Sequence, residues 1–394
     1  MSVPVFAVPD RPAYPAEADD GLGIVLTGGG ARAAYQVGVL SGLAELYPDL
    51  RIPYLTGFSA GAVNIAHLAS HHGTLKQATD ELCGLWGGLE PEKIYRVDPP
   101  SLGWIGGRVL VQLISGGRSV GPDVRALLDT APLREFLEEA LAAVHGRITG
   151  VDANLASNRL CAAALTTTSY TTGETVVWVQ GGSVEPWQRP QRVSRPAEFT
   201  VDHVMASSAL PFFFPAVQLA DGWYGDGQVR LIAPISPALH LGATRVLAIS
   251  TRAERDAGSR PKVIDGYPPP AQIAGVMLNA IFLDMLDQDA LRMERLNNLL
   301  AKLPPEERGG MRLIRLLVIR PSKDLAKLAN AYEPRMPRTI RWLVRGLGSK
   351  RTRSPDVLSM LMFQSDYLKR IIDLGREDAR AHAEEIAALV EETP

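Results

Sequence analysis

The chain has 394 residues, of which 46% are hydrophobic and 21% are charged, so it is long enough and apolar enough to bury a substantial core as an ordinary globular protein. Its 41 basic and 43 acidic residues give a formal net charge of −2, so the chain as a whole has no bias toward nucleic acid and no such partner is expected. The two cysteines, Cys83 and Cys161, form neither a CxxC pair nor a Cys/His cluster, which predicts free thiols in a reducing, cytoplasmic setting and no metal site.

The N-terminal residues 1–20 carry prolines and acids where a secretory signal needs a basic start and an apolar run. We therefore expect a flexible arm and no signal peptide. The longest apolar stretch, residues 273–283, is interrupted by Asn279 and ends at Asp284, short of the roughly 20 residues that span a membrane. It predicts a buried helix, and no transmembrane helix is expected.

The first regular elements alternate between short apolar runs and helical patterns. Residues 23–26 predict a buried strand, and apolar residues at helical spacing predict a helix over 33–46. Residues 52–56 predict a second strand, and residues 60–70 predict a second helix. This order of strand, tight turn and helix predicts an α/β fold in three layers, a mainly parallel central sheet flanked by helices.

Further strands follow after a glycine-rich segment. Residues 98–122 contain two Gly-Gly pairs, which predicts a loop or a lid. Residues 160–168 and 175–179 are rich in strand-forming residues and are joined by a short turn, which predicts a hairpin. Residues 245–250 and 312–320 predict two later buried strands.

The C-terminal region is mostly helical and contains one strongly basic segment. Seven basic residues and no acidic residue lie between Arg335 and Arg353. One helical face carries Ile340, Leu343, Val344 and Leu347, and the other carries Arg338, Arg341 and Arg345. This pattern fits either a solvated helix packed on the domain or an anchor at a membrane surface near Arg338 to Arg345.

The strongest chemical motif is Gly-Phe-Ser-Ala-Gly at residues 57–61, a G-x-S-x-G pattern between a predicted strand and a predicted helix. A serine on such a sharp turn has its hydroxyl pushed out of the sheet, and the small residues Gly57 and Gly61 avoid clashes in the bend. The N-terminal amides of the following helix favour negative charge at this point. We therefore predict that Ser59 is a nucleophile on an elbow.

A second motif, Gly-Gly-Gly at residues 28–30, also lies between a strand and a helix. Such a loop either binds phosphate in a nucleotide fold or aligns backbone amides as an oxyanion hole. The sequence has no G-x-G-x-x-G spacing here and no P-loop lysine. Together with a nucleophile on a neighbouring strand, these absences favour the oxyanion hole.

A serine nucleophile needs a base, and none of the seven histidines follows a late strand as a triad histidine would. Asp226 lies between Gly225 and Gly227, which leave its backbone free to approach another loop closely. An Asp-Gly turn is also common in loops. From the residues alone, a structural turn and a catalytic base are both compatible with Asp226.

These motifs together resemble the patatin-like phospholipase family in type, order and spacing, over roughly residues 20–250. The resemblance implies a patatin-like three-layer fold and a serine-aspartate dyad without histidine. The implied dyad is Ser59 and Asp226. The implied oxyanion loop is Gly28, Gly29, Gly30 and the amide beside Arg32.

The resemblance also predicts a domain organisation: a catalytic domain over residues 21–250, and a mostly helical region over 251–394 that packs on it or extends it. Two residues depart from the commonest family pattern, Ala33 after the arginine and Gln228 after the Asp-Gly pair. They bear on loop packing or substrate preference. The Arg32 side chain is either a structural clamp or a ligand for a phosphate headgroup.

The implied function is a serine esterase that cleaves fatty acyl esters of phospholipid or glyceride, without a cofactor. An acyltransferase would use the same Ser59 acyl-enzyme and pass the acyl group to an alcohol or thiol. A regulatory protein that docks on membranes is the alternative from another class, although it would not need Ser59, Asp226 and the glycine loop together.

Overall fold

The computed structural model describes residues 21–96, 126–182, 185–253, 285–336, 341 and 356–391. The predicted arm (1–20), the predicted loop or lid (98–122) and the predicted apolar helix (273–283) lie outside these residues. So does the basic segment near Arg338 to Arg345 except for Arg341, whose guanidinium donates to the Pro334 carbonyl at 2.9 Å. Among the described residues, no helix combines the length and the apolar character needed to cross a membrane.

Within the described residues, ten strands form one sheet. They are β1 (Leu22–Leu26), β2 (Tyr54–Phe58), β3 (Ala162–Ser169), β4 (Thr175–Gly181), β5 (Gln188–Arg189), β6 (Arg192–Pro196), β7 (Val217–Leu219), β8 (Gly222–Asp226), β9 (Arg245–Ile249) and β10 (Arg315–Ile319). Their order is β10-β9-β1-β2-β3-β4-β6-β5, with β8 also paired to β3 and β7 paired to β8.

Helices cover both faces of this sheet. They are α1 (Ala34–Leu46), α2 (Ala60–Ser70), α3 (Leu75–Gly87), α4 (Ala131–Ala140), α5 (Thr149–Ala156), α6 (Val201–Ser207), α7 (Ser236–Leu241), α8 (Met285–Leu300), α9 (Leu325–Ala329), α10 (Asp356–Met360), α11 (Ser365–Ala381) and α12 (Ala383–Val390). Short 3-10 turns at Gly30–Ala33 and Gly227–Arg230 follow β1 and β8.

The central strands β10, β9, β1, β2 and β3 pair in parallel, and β3 and β4 form an antiparallel hairpin. This confirms the predicted three-layer α/β fold. Strand β2 differs from its prediction, because it starts at Tyr54 and continues through Gly57 to Phe58. Gly57 continues the strand, and glycine is needed there because a side chain would collide with Ile65 and Gly61 of α2. The strand therefore ends directly before Ser59.

One edge of β3 is shared by two strands. Phe58, the last residue of β2, pairs with Thr166. Asp226, the last residue of β8, pairs with Thr167. The opposite edge of Thr167 is occupied by Val176 of β4, so β8 continues along the edge where β2 ends. The register therefore brings the end of β8 to the end of β2.

Alternating side chains of the sheet enter two separate cores. Ile24 and Leu26 of β1 pack in the larger core, with α1, α2 and α11. Val25 points to the other face and packs in the smaller core, which includes Ala238 of α7 and Leu286 of α8. Because both faces of β1 are buried, its sequence is a continuous apolar run, as expected for a central parallel strand.

The C-terminal region contributes to these same layers. Strand β10 extends the sheet beside β9, and α11 packs against α1 through small residues. A side chain on Gly38 would overlap the Ile372 carbonyl oxygen, and one on Gly42 would lie 2.5 Å from the Ala379 Cβ. The two helix backbones therefore approach more closely than larger residues would allow.

This close approach predicts opposite effects for two glycine substitutions. Gly38→Ala should lower the free energy of unfolding by about 1–3 kcal/mol, because the added methyl group overpacks the α1–α11 contact. Gly84→Ala is the matched control, since a side chain at this exposed position of α3 meets nothing within 4 Å. It should raise stability by about 0.5–1 kcal/mol. Urea unfolding measures both, and equal effects of the two substitutions would contradict the packing described.

Candidate active site

Ser59 occupies a strained turn between β2 and α2. Its backbone has φ 54° and ψ −135°, a left-handed conformation that a residue other than glycine adopts at an energetic cost. Gly61 allows the turn, since a side chain there would overlap the backbone carbonyls at the end of β1. Ser59 is 5% exposed. Ser59 thus lies on a sharp strand-to-helix turn between Gly57 and Gly61.

Two serines at the end of α6 hold this elbow. The Ser59 amide donates to the Ser207 Oγ at 3.0 Å, and the Ser207 hydroxyl donates to the Thr166 carbonyl at 2.7 Å. The Ser208 hydroxyl donates to the Ser59 carbonyl at 3.0 Å. Because both backbone groups of Ser59 are bonded, the strained conformation is fixed from outside. Sequence analysis assigned no function to these serines, and no spacing rule connects residues so far apart.

The glycine loop lies against the nucleophile. A side chain on Gly28 would place its Cβ 3.1 Å from the Ser59 Oγ, so the loop backbone is in contact with the hydroxyl. Gly29 has φ 151° and Gly30 has φ 56°, conformations that favour glycine. Within the described residues, the amides of these three glycines donate to no other group. Such amides are available to a negatively charged oxygen beside Ser59.

Two polar side chains, those of Thr251 and Gln36, hydrogen-bond to backbone carbonyls at the start of the glycine loop. The Thr251 hydroxyl donates to the Gly28 carbonyl at 2.7 Å, and the Gln36 amide donates to the Thr27 carbonyl at 2.7 Å. These bonds fix two carbonyl oxygens at the start of the loop and so hold its backbone in place. Sequence analysis missed both residues. Thr251 follows β9, and the rule that sites form at the carboxyl ends of parallel strands could have found it.

Arg32 has contacts different from those of the three glycines. Its amide donates to the Gly29 carbonyl at 3.2 Å, so it closes the 3-10 turn instead of standing free beside Ser59. Its side chain is 2% exposed, and its Nε donates to the Ser359 Oγ at 2.7 Å. Of the two interpretations of the Arg32 side chain, these contacts agree with a structural clamp, which joins the glycine loop to α10.

Asp226 ends β8 with a fully buried carboxyl group, 0% exposed. Its Oδ1 accepts a hydrogen bond from the Gln228 amide at 2.9 Å. Gly227 is required next to it, since a side chain there would overlap the Thr166 carbonyl. Asp226 thus caps a 3-10 turn, as the structural interpretation of the Asp-Gly pair expects, and at the same time it is brought to the end of β2.

Burial raises the pKa of Asp226 to about 7, and the nearby Ser59 hydroxyl and Gln228 amide offset part of this rise. The second carboxyl oxygen, Oδ2, has no hydrogen bond of normal geometry within the described residues. The Ser59 hydroxyl nevertheless lies near enough to lower the pKa of Asp226. Catalytic hydrogen bonds are often long without substrate and tighten when it binds.

All seven histidines lie in the described ranges, and none hydrogen-bonds to Ser59 or lines the cavity beside it. Among the described residues, no group of three or more His, Cys, Asp or Glu side chains is arranged to hold a metal ion. The groups that the structure places beside one another here are a hydroxyl, a carboxyl group and backbone amides.

A narrow apolar cavity of about 50 Å³ extends from Ser59. Its lining is Gly30, Ser59, Ala60, Val63, Trp86, Leu89, Ile94, Leu133, Phe136, Ser208, Leu210, Phe214, Met360, Leu361 and Phe363. Aliphatic and aromatic side chains predominate on its wall. Such a surface suits a hydrocarbon chain better than a polar group.

The structure is similar to several solved proteins at low sequence identity, and no curated protein matches the sequence. VipD from Legionella pneumophila is 13% identical, over 93% of this chain and 67% of that chain, with a TM-score of 0.36. Human GIVD cytosolic phospholipase A2 is 17% identical, over 94% of this chain and 59% of that chain, with a TM-score of 0.45. The type III effector ExoU of Pseudomonas aeruginosa is 15% identical, over 93% and 53%, with a TM-score of 0.37. The chain thus spans less than two-thirds of the length of the latter two.

The sequence itself matches a family model described as patatin-like phospholipase over residues 24–239. The matched region includes the glycine loop, the elbow at Ser59 and the carboxyl group of Asp226. This confirms the resemblance seen in the three motifs. Because the match extends over more than half of the 394 residues, the chain belongs to the patatin-like phospholipase family, a family of lipid hydrolases.

Proposed function

We propose that this chain hydrolyses fatty acyl esters of phospholipid or glyceride through an acyl-enzyme on Ser59, with Asp226 as the general base. The observation that supports it most is the position of Asp226, whose carboxyl group is buried. Asp226 is the last residue of β8, and β8 pairs with the same edge of β3 as β2, the strand that ends directly before Ser59. The turn after β8 uses only one oxygen of this carboxyl group, Oδ1, which accepts a hydrogen bond from the Gln228 backbone amide. Proton transfer from Ser59 would give the second oxygen, Oδ2, a role as well.

The first step is attack by the Ser59 Oγ on the ester carbonyl carbon, while the hydroxyl proton passes to Asp226. A free aspartate is a weak base near neutral pH. Burial raises the pKa of Asp226 to about 7, which makes its ionised form a stronger base and still leaves it largely ionised slightly above neutral pH. The same burial excludes water from the proton transfer.

The negative charge that develops on the carbonyl oxygen is stabilised by the amides of Gly28, Gly29 and Gly30. The N-terminal end of α2 adds to this stabilisation. The Ser59 amide is not a candidate donor, because it already donates to Ser207. The glycine loop is therefore the main proposed source of this interaction.

Collapse of the tetrahedral intermediate breaks the ester C–O bond, and Asp226 returns its proton to the departing alcohol. A water molecule then attacks the acyl-enzyme and gives its proton to Asp226. The second collapse releases the fatty acid and restores the Ser59 hydroxyl. An acyltransferase would replace this water by an alcohol or thiol, and analysis of the products separates the two reactions.

Two further parts of the proposal concern the rest of the chain. We propose that the C-terminal region extends the catalytic domain, as supported by β10 in the same sheet and by α11 on α1. Peripheral contact with a membrane through the segment near Arg338 to Arg345 stays a prediction from sequence.

Replacing either member of the dyad should abolish hydrolysis. We expect Ser59→Ala and Asp226→Asn each to lower kcat/KM by about 10³-fold or more, because the first removes the nucleophile and the second removes the base. The measurement is fatty acid release from phospholipid, neutral glyceride and a p-nitrophenyl ester. Ser157→Ala and Asp80→Asn, which change an exposed serine and an exposed aspartate, are the matched controls and should retain activity. Full activity of Ser59→Ala would refute the mechanism.

The raised pKa of Asp226 also predicts the pH dependence. Only the ionised carboxylate accepts a proton, so kcat/KM should fall as the pH decreases through about 7 and level off above pH 8. The test is a pH profile with an ester that does not titrate between pH 5 and 9. A profile that stays flat down to pH 5 would mean that Asp226 is not the base in the rate-determining step.

A further inference from the structure

A short C-terminal segment, residues 358–363, forms part of the cavity beside Ser59. All six of its residues are buried, although the segment follows the nucleophile by some 300 positions in the chain. It comprises the end of α10 and the turn that leads into α11. We refer to it as the C-terminal wall segment.

Polar contacts hold this segment to the glycine loop and to Tyr95, the neighbour of the cavity-lining residue Ile94. The Arg32 Nε donates to the Ser359 Oγ at 2.7 Å. The Tyr95 hydroxyl donates to the Leu361 carbonyl at 3.0 Å. A side chain on Gly30 would overlap the Met360 carbonyl, so the segment backbone touches the glycine loop directly. Its position relative to Ser59 is therefore fixed from both sides.

Three residues of the segment, Met360, Leu361 and Phe363, line the cavity that also contains Ser59. The Phe363 ring stacks on Trp86 with centroids 6.5 Å apart and meets Tyr95 edge-on at 6.2 Å. These aromatic contacts restrict the ring to one orientation. The cavity has a volume of about 50 Å³, which is enough for a few water molecules.

The wall segment lies outside residues 24–239, the region matched by the family model. The dyad and the glycine loop lie inside that region. The reacting groups thus belong to the matched region, whereas part of the surface that a bound acyl chain would touch comes from this chain's own C-terminal part.

We propose that Met360, Leu361 and Phe363 are specificity-determining residues that limit the length of the acyl chain accepted at Ser59. The inference rests on the proposed function and adds to it the residues that select the substrate. Each methylene group that fits into the cavity gains about fourfold in binding through burial, and each one that meets the wall loses this gain. Shortening the wall side chains should therefore favour longer acyl chains.

The test is a series of p-nitrophenyl esters with acyl chains from 2 to 16 carbons, hydrolysed by the wild type and by Phe363→Ala and Met360→Ala. We expect each substitution to raise the ratio of kcat/KM for long chains over short chains by about tenfold or more, with kcat/KM for the acetyl ester changed less than threefold. Phe363→Leu should give a smaller shift in the same direction.

Met336→Ala is the matched control, because Met336 is buried in the same C-terminal region and does not line the cavity. It should leave the chain-length profile unchanged. Profiles that are the same in the wild type, Phe363→Leu and Met360→Ala would overturn the inference. If Ser59→Ala hydrolyses the esters as well as the wild type, the proposed function fails as well, so the two failures are distinguishable.

A measurement on the unaltered protein avoids dependence on folding of the variants. An alkyl fluorophosphonate with a diazirine in its chain would first react at Ser59 with loss of fluoride, and illumination would then attach the chain to its neighbours. We expect the cross-link in the peptide that contains residues 358–363. Cross-links found only in other peptides would overturn the inference, and a phosphonyl group on a residue other than Ser59 would overturn the proposed function.

Discussion

Burial of the Asp226 carboxyl group beside Ser59 is the constraint on which the site depends. The burial follows from the sheet register, because β8 pairs with β3 along the same edge as β2 and begins its pairing where that of β2 ends. The cost is a charge in a dry environment, seen in a pKa raised to about 7 from 3.8. Because the folded-state pKa is the higher one, Asp226 stabilises the fold fully below pH 3.8, and this contribution is lost as the pH rises through 7. Asp226 is thus most active as a base at the pH values at which its ionised carboxyl group is least favourable for the stability of the fold.

Hydrogen bonds from several elements hold the rest of the site in place. Ser207 and Ser208 bond both backbone groups of the strained Ser59, and Thr251 fixes the glycine loop through the Gly28 carbonyl. A site held in this way is preorganised, so the protein need not rearrange when charge develops on the substrate. The C-terminal region adds a further contact through the Arg32–Ser359 bond.

Much of the fold was predictable, because buried parallel strands are short continuous apolar runs and their helices have a clear period. Ser59 and the glycine loop were predictable for the same reason, since each follows such a strand directly. Asp226 was not, because an Asp-Gly pair also makes ordinary turns, and only the resemblance favoured catalysis. Ser207 lies 148 residues from its partner Ser59. No local sequence pattern predicts a contact between residues so far apart. The contact of the C-terminal wall segment with the cavity beside Ser59 was not predictable for the same reason.

The proposed mechanism depends on the activation of Ser59 by Asp226. The most direct test is the rate at which a short alkyl fluorophosphonate modifies the protein, followed by mass spectrometry with peptide mapping, between pH 5 and 9. We expect a single adduct on Ser59, formed at a rate that falls at acidic pH with a midpoint near 7. In Asp226→Asn the reaction should be slow and independent of pH. An adduct on another residue, or an Asp226→Asn variant that reacts like the wild type at every pH, would contradict this mechanism.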